Sequence, residues 1–235
     1  MKRLISGHRQ VAVAGLCMGL MFAGLPALAA KDAPAQVSED GLHLVKQTKS
    51  RLVYKRPDAT FTQFKRVAIL ECNVQFSQRW LKDYNSSQRD PSRKIGTKDL
   101  DRAKADLSAQ FKKIFTDELA TKGGYQIAEQ AAPDVLVLRP ALVNIQVSAP
   151  DLMSAGSSVT FVQESGQMTL YLELWDASTN TILARVMDAR ASNEAFSQRS
   201  SSVTNRAAAD SIMRAWAKEL RERLDEITGK GGASQ

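Results

Sequence analysis

The sequence predicts an α+β domain in which a mixed, mainly antiparallel sheet carries two amphipathic helices packed on one face. Residues 67–76 alternate between apolar and polar side chains, which is typical of a β-strand. Residues 98–122 and 202–227 instead repeat their apolar side chains with helical spacing. A short, turn-rich link joins two strand patterns at 167–176 and 181–189, so we expect an antiparallel hairpin there. Such elements together form one layered core.

The remaining strand patterns lie at 51–56, 125–128 and 135–147. The last of these contains Pro140, which has no amide hydrogen to donate to a neighbouring strand. We therefore expect an edge position or a bulge at Pro140. The alternation within 67–76 predicts one apolar face made of Ala68, Leu70, Cys72, Val74 and Phe76.

Each helical pattern presents one apolar stripe, for which we expect packing against the sheet rather than an interface with a partner. Gly123 and Gly124 end the first helix. In the second helix Glu219 precedes Arg223 by four residues, so we expect an exposed ion pair between them. The stripe residues are Leu100, Ala103, Leu107, Phe111, Ile114, Leu119, Ala209, Ile212, Trp216, Leu220, Leu224 and Ile227.

Residues 1–29 have the build of a secretory signal peptide. Basic residues precede an apolar run at 11–25, and the small side chains of 27–29 suit a signal peptidase. The run is shorter than the ~18 apolar residues of a spanning helix. We therefore expect cleavage near Ala30, a periplasmic product, and no transmembrane span in the mature chain. A position at the periphery of the outer membrane stays open.

Cys17 raises the alternative of a lipid anchor. It lies inside the apolar run and follows Leu16, whereas a lipoprotein signal has a small residue directly before its cysteine. We expect an ordinary signal residue, with lipidation as the minor alternative. Beyond the signal, composition predicts a flexible leader at 30–40, a single domain at 41–228 and a disordered tail at 229–235.

The mature chain is mildly basic and contains one cysteine. The whole chain has a net charge of +7, and removal of the signal's three basic residues lowers it to +4. That charge suits anionic lipid headgroups or cell-wall polymers, and it is too small to indicate nucleic acid. A lone Cys72 excludes an internal disulfide, so the core must supply the stability of the fold.

No catalytic or metal-binding motif is present in the sequence. His43 is the one histidine outside the signal, and HExxH, CxxC, a glycine-rich phosphate loop and GxSxG are absent. Cys72 lies on an apolar strand face, where a thiol behaves as a small hydrophobic group. We predict no catalytic residue, no metal site and no cofactor.

Two long connections are the candidate contact sites. The loop at 77–96 mixes basic and aromatic side chains, the types that dominate binding hot spots, although its aromatic residues also suit packing onto the core. The loop at 149–166 places apolar residues beside a glycine- and serine-rich stretch, which suits a docking patch, a lid or an added strand. The candidate partner-binding residues are Arg79, Trp80, Tyr84, Arg89, Arg93, Lys94, Val159 and Phe161.

Several segments resemble a bacterial envelope family, domain of unknown function 3313. They are 40–42 (DGL), 52–57 (LVYKRP), 132–142 (APDVLVLRPAL), 168–176 (MTLYLELWD), 183–185 (LAR) and 188–190 (DAR). The family is lipoprotein-like and has no assigned activity, so the resemblance implies an envelope location and no reaction. This chain departs from it by lacking a lipoprotein cleavage motif.

We expect a non-enzymatic accessory or scaffold protein that binds an envelope protein, a lipid or a cell-wall component. The alternative is a periplasmic carrier of a small ligand or lipid, with a pocket between sheet and helices closed by residues 149–166. An unrecognised hydrolase ranks last. Neither the partner's identity nor the oligomeric state follows from the sequence.

Overall fold

A computed structural model of the protein describes residues 33–147, 160–161, 167–191, 199–200 and 202–230. The chain divides into two units, Met1–Pro34 and Ala35–Gln235, and the helices and strands below belong to the second. The predicted signal peptide at 1–29 lies outside the described residues, as do residues 231–235 of the predicted tail.

The described residues form an eight-stranded sheet and a separate two-stranded ladder. In the eight-stranded sheet the order is β1-β2-β9-β8-β6-β3-β5, and β4 also pairs with β6. Pairing is antiparallel from β1 to β6 and parallel among β6, β3, β4 and β5. The strands are β1 His43–Gln47, β2 Arg51–Lys55, β3 Arg66–Ile69, β4 Asn73–Phe76, β5 Gln126–Ile127, β6 Val135–Gln146, β7 Thr160–Phe161, β8 Gln167–Asp176, β9 Thr181–Ala191 and β10 Arg199–Ser200.

Three helices accompany the described strands. They are α1 Gln78–Ser87, α2 Thr97–Thr116 and α3 Ser202–Thr228. A short π-helical segment, Asp117–Lys122, continues α2, and the left-handed Gly124 (φ of +62°) follows it. None of the helices in the described part of the chain is long and apolar enough to cross a membrane.

Helices α2 and α3 contact each other and pack on one face of the sheet. The core between them contains Phe111 and Phe115 of α2, Met213 and Trp216 of α3, and the leucines of β6 and β8. The predicted α+β class, with a mixed and mainly antiparallel sheet, is confirmed, and so is the β8–β9 hairpin. Strand β1 was not predicted, because it is an exposed edge strand without apolar alternation.

The strand predicted at 67–76 is two strands that differ in phase. Val67 and Ile69 face the core, whereas Leu70 is 44% exposed. From Cys72 onward the alternation follows the prediction, because Cys72, Val74 and Phe76 are buried. The predicted inward position of Ala68 and Leu70 is wrong, because an irregularity between β3 and β4 shifts the alternation by one residue.

The same irregularity accommodates Pro140. Strand β6 has neighbours on both sides, so the predicted edge position is wrong. Ile69 pairs with Leu138 and Asn73 pairs with Ala141, which leaves residues 70–72 opposite Arg139 and Pro140 outside the parallel ladder. The backbone N–H of Leu70 donates to the carbonyl of Leu138. In a strand, the backbone N–H and C=O groups of alternate residues point toward the same neighbouring strand. The amide hydrogen that proline lacks would therefore face this gap.

The segment predicted as a loop at 77–96 contains a helix. Ser77 caps α1, because its hydroxyl oxygen accepts from the backbone N of Trp80 at 3.3 Å. A short 3₁₀ turn at Pro91–Arg93 follows, capped by Asp90. The loop prediction failed because the apolar stripe of α1 is short and its composition is strongly polar.

Candidate functional site

An apolar cleft lies between the C-terminal half of α3 and the sheet. Its volume is about 290 Å³. Side chains of β2, β8 and β9 form the floor, and Trp216, Leu220 and Leu224 of α3 form the roof. The lining residues are Val45, Lys46, Arg51, Val53, Lys55, Phe61, Leu170, Leu172, Leu174, Ala184, Val186, Asp188, Trp216, Glu219, Leu220, Arg223, Leu224 and Ile227.

The cleft follows from side-chain size along the strands. Leucines of β8 fill the space beneath the helices at the middle of the sheet. Toward the edge the floor is made of smaller side chains, Ala184 and Val186 on β9 and Val53 on β2. The smaller side chains of this part of the floor do not reach the side chains of α3, so space remains between them.

The cleft opens between β1 and the end of α3. Val45 of β1 is 59% exposed and Ile227 of α3 is 38% exposed, yet both line it. Large apolar side chains that line a cleft and also reach solvent mark an entrance at that position.

Arg51, Asp188 and Glu219 line one end of the cleft, and Arg190 bonds to both of these carboxylates. We call these four residues the inner network. Arg51 donates to Asp188 at 2.6 Å and to Glu219 at 2.7 Å. Arg190 donates to the same two carboxylates at 2.9 and 2.8 Å, and the indole of Trp216 donates to Asp188 at 2.8 Å. Because the side chain of Asp188 is only 4% exposed, these donors replace the water that it loses.

Arg51 and Glu219 of the inner network favour their charged forms. Hydrogen bonds to Glu219 and Asp188 raise the pKa of the Arg51 guanidinium, and the hydrogen bond from Arg51 lowers the pKa of Glu219. Acid–base catalysis requires a group that exchanges protons near the working pH. The lowered pKa moves Glu219 away from that role, and its hydrogen bonds to Arg51 and Arg190 join α3 to β2 and β9.

A second set of charged and aromatic side chains lies on the opposite face of the sheet. Glu173 accepts from Tyr171 at 2.8 Å, from Trp175 at 3.0 Å and from Arg185 at 2.9 Å, and Arg185 also donates to Asp40 at 2.5 Å. We call these five residues the outer network. The guanidinium of Arg139 lies 4.8 Å from the centre of the Trp175 ring.

Residues 37–220 match the family model described as protein of unknown function (DUF3313). The chain belongs to this family. The match spans β1 to most of α3 and includes the four residues of the inner network. The family predicted from sequence segments is thereby confirmed.

Two solved structures resemble this DUF3313 chain loosely. The PelC dodecamer from Paraburkholderia phytofirmans has 17% identity and a TM-score of 0.37, over 71% of this chain and 96% of that one. Protein XCC0632 from Xanthomonas campestris, of family DUF330, has 14% identity and a TM-score of 0.34, over 77% and 94%. Scores and identities this low do not bear on what the chain does. A search of curated proteins gives no match.

The aromatic residues predicted to contact a partner turn toward the core. Trp80 of α1 stacks between Phe76 and Tyr84, with ring centres 5.9 Å apart in both pairs, and its indole donates to the carbonyl of Val147 at 3.0 Å. Trp80 and Tyr84 are half-buried. Their apolar surface therefore stabilises α1 against the sheet.

The predicted basic residues of this segment remain exposed. Arg79 is paired only with Asp83, at 3.7 Å within the described residues, and its side chain is 91% exposed. Arg89, Arg93 and Lys94 are also exposed. None of the described residues that line the cleft comes from α1.

The second predicted segment, 149–166, lies outside the described residues except for β7. Phe161 belongs to β7 and pairs with Arg199 of β10 in a ladder separate from the main sheet. Val159 lies outside the described part of the chain. The lid over the cleft that the sequence suggested stays a prediction.

His43 lies at the surface and Cys72 lies in the core. His43 is exposed on β1 and makes no side-chain hydrogen bond within the described residues. Cys72 is buried, which raises its pKa to about 12. The described residues contain no group of three His, Cys, Asp or Glu side chains placed to hold a metal ion.

Sequence reasoning placed a pocket between sheet and helices in its alternative function, but it missed the lining of this cleft and the partners of Glu219. The predicted pair with Arg223 is wrong, because Glu219 bonds to Arg51 and Arg190 while Arg223 pairs with Glu226 at 2.8 Å. The apolar stripe of α3 was the available signal, since it extends to Ile227, beyond the reach of the packed core.

Proposed function

We propose that this chain is a non-catalytic binding protein of the bacterial envelope, and that it carries an apolar ligand between α3 and the sheet. The observation that carries the proposal is the open cleft of about 290 Å³ with an aliphatic floor and roof. Ligand sites are typically concave and mostly apolar, with a few polar groups at fixed positions. The inner network supplies fixed polar groups at one end.

The size of the cleft favours a single hydrocarbon chain. Its volume lies at the lower limit of ligand pockets, roughly 300 Å³. Burying one methylene group contributes about 0.8 kcal/mol, so a chain that fills the cleft gains several kcal/mol. A bulky polycyclic ligand would need the roof to move.

The envelope location rests on the predicted signal peptide and on the family resemblance. An exported carrier of hydrocarbon chains fits an envelope, where acylated molecules cross an aqueous space. Export itself is checked by fractionating cells and sequencing the N-terminus of the product, which we expect to begin near Ala30.

Binding is tested with decanol, an uncharged ten-carbon chain, by isothermal titration calorimetry on the purified full-length chain. We expect saturable binding with a negative heat-capacity change. Leu220→Trp places a larger side chain in the roof and is expected to weaken binding at least tenfold. Leu107→Trp is the matched control, because Leu107 is half-buried on α2 and does not line the cleft. Absent binding, or equal loss in both variants, would contradict the proposal.

Contact with a protein partner is the second candidate, favoured by the exposed basic residues Arg79, Arg89, Arg93 and Lys94. Crosslinking in intact cells, with these four changed together to Gln as the comparison, tests it. A partner captured only by the wild-type chain supports the scaffold function, and identical capture by both chains opposes this surface.

A further inference from the structure

Outside the inner network, the charged side chains that line the cleft are all positive. Asp188 and Glu219 are the two carboxylates in the lining, and both are bonded to Arg51 and Arg190. Two guanidinium groups and two carboxylates leave that network with no net charge. The lining also contains Lys46, Lys55 and Arg223.

Lys46 and Lys55 have no carboxylate within ion-pair distance among the described residues. Lys55 lies over the ring of Phe61 at 5.6 Å, which holds its ammonium beside the apolar floor. The nearby carboxylates of α3 are already engaged. Glu226 pairs with Arg223 at 2.8 Å, and Glu222 lies 3.8 Å from Lys218 and 3.6 Å from Arg221.

A β-bulge directs Lys46 toward the cleft. Leu44 pairs with Tyr54, so a regular ladder would place Val45 opposite Val53 and turn Lys46 to the other face. The register shifts between Leu44 and Lys46, and Lys46 itself lies opposite Val53, a floor residue. Bulges re-aim side chains in this way beside functional sites.

Both lysines therefore lie on the cleft side of the edge strands. Lys55 lies two residues from Val53 on β2 and pairs with Ala184 of β9, which are both floor residues. Two ammonium groups beside an opening into an apolar cleft match a molecule with an anionic head and a hydrocarbon tail.

We propose that the ligand is an anionic single-chain amphiphile, with its carboxylate or phosphate headgroup bound by Lys46 and Lys55 and its chain lying under α3. This inference rests on the proposed carrier function, because it assigns the headgroup chemistry of the same cleft. The apolar chain supplies the binding free energy, and the two lysines select the sign of the headgroup charge.

The test compares ten-carbon ligands that differ only in the head. We expect decanoate and decyl phosphate to bind about tenfold more tightly than decanol, and decyltrimethylammonium to bind more weakly than decanol. The preference is expected to shrink as salt is raised, because partly exposed charges are screened. Inorganic phosphate alone is expected to show no binding.

Lys46→Gln and Lys55→Gln are expected to lower the affinity for decanoate by a larger factor than the affinity for decanol, so the preference between the two ligands shrinks. Lys49→Gln is the matched control, since Lys49 is exposed in the β1–β2 turn and does not line the cleft. Lys46 is exposed, so its variant keeps the fold.

The outcomes separate this inference from the carrier function. Equal affinity for decanoate and decanol overturns the anionic headgroup and leaves the carrier function standing. Phosphate bound as tightly as decyl phosphate also overturns it, because the cleft would then be unused. Failure of every ten-carbon ligand to bind overturns both.

Discussion

Strand β9 contributes to an ion network on each of its two faces, and the two networks differ in what covers them. The inner network lies beneath α3 and joins that helix to β2 and β9. The outer network joins β8 and β9 to Asp40, and no helix in the described part of the chain covers it. Glu173 and Asp188 are both held by arginine, yet only Asp188 is also bonded to a residue of the core, Trp216.

This difference indicates different roles. Breaking an ion pair leaves an unpaired charge, and the cost rises with the burial of that charge. The side chain of Asp188 is 4% exposed and that of Glu173 is 13% exposed. The inner network should therefore control global stability and the shape of the cleft. The outer network should contribute less to global stability and should not change the shape of the cleft.

Asp188→Asn is expected to have the largest effect. It leaves two arginines short of one buried negative charge, so we expect the free energy of unfolding in urea to fall by about 3 kcal/mol. Glu173→Gln removes the corresponding charge on the outer face, with an expected loss of about 1 kcal/mol. Equal losses, or a larger loss for Glu173→Gln, would remove the distinction between the two faces.

Replacing an alanine by leucine should change stability less in the cleft than in the packed core. Ala217 is fully buried where α3 meets the core, so Ala217→Leu is expected to destabilise the fold by about 1–3 kcal/mol through overpacking. Ala184 lines the cleft, so Ala184→Leu is expected to change stability by less than about 1 kcal/mol and to abolish decanol binding. Urea unfolding and calorimetry measure both. Equal destabilisation would mean that the cleft has no free space.

Acidification should weaken the inner network. The pKa of Glu219 is lowered in the folded chain by the hydrogen bond from Arg51, so the unfolded chain binds more protons in acid. Glu219 stabilises the folded chain fully above its ordinary pKa of 4.5. This stabilisation is lost as the pH falls through the lower pKa that Glu219 has in the folded chain. We expect a shallower fall in unfolding free energy below pH 4.5 for Glu219→Gln than for the wild type. Glu129→Gln, an exposed carboxylate outside both networks, is expected to follow the wild type.

The smallest expected effect concerns the outer network. Burial, and then the hydrogen bond to Glu173, raises the pKa of Tyr171 to about 12. The ultraviolet absorbance difference between the wild type and Tyr171→Phe isolates its titration. In the Glu173→Gln background we expect the pKa of Tyr171 to fall toward its ordinary value of 10.0. An unchanged value would show that Glu173 does not hold this phenol.

The elements that the sequence predicts well are those with long, regular patterns. The β8–β9 hairpin and α3 each repeat their apolar side chains over many residues, so one misplaced residue does not alter the assignment. The pattern at 67–76 is shorter and contains a break at 70–72 that alternation alone does not reveal. Helix α1 has too few apolar residues to stand out from a polar loop.

The cleft and its charges depend on contacts between distant residues. Arg51 and Glu219 are 168 residues apart, so the nearer Arg223 was the partner that local spacing favoured. Of the two lysines at the opening, Lys46 depends on a one-residue bulge in β1, a strand that was not predicted. Family membership was predictable, because segments such as 132–142 and 168–176 resemble the family and lie within the residues that match its model.

The most direct test of the binding cleft is methyl NMR of the labelled chain during titration with decanoate. We predict shifts at Val53 and Val186 on the floor and at Leu220 on the roof, with none at Leu52, whose side chain packs on the outer face. Shifts confined to Leu52 and its neighbours, or no shifts at the three cleft residues, would contradict the account.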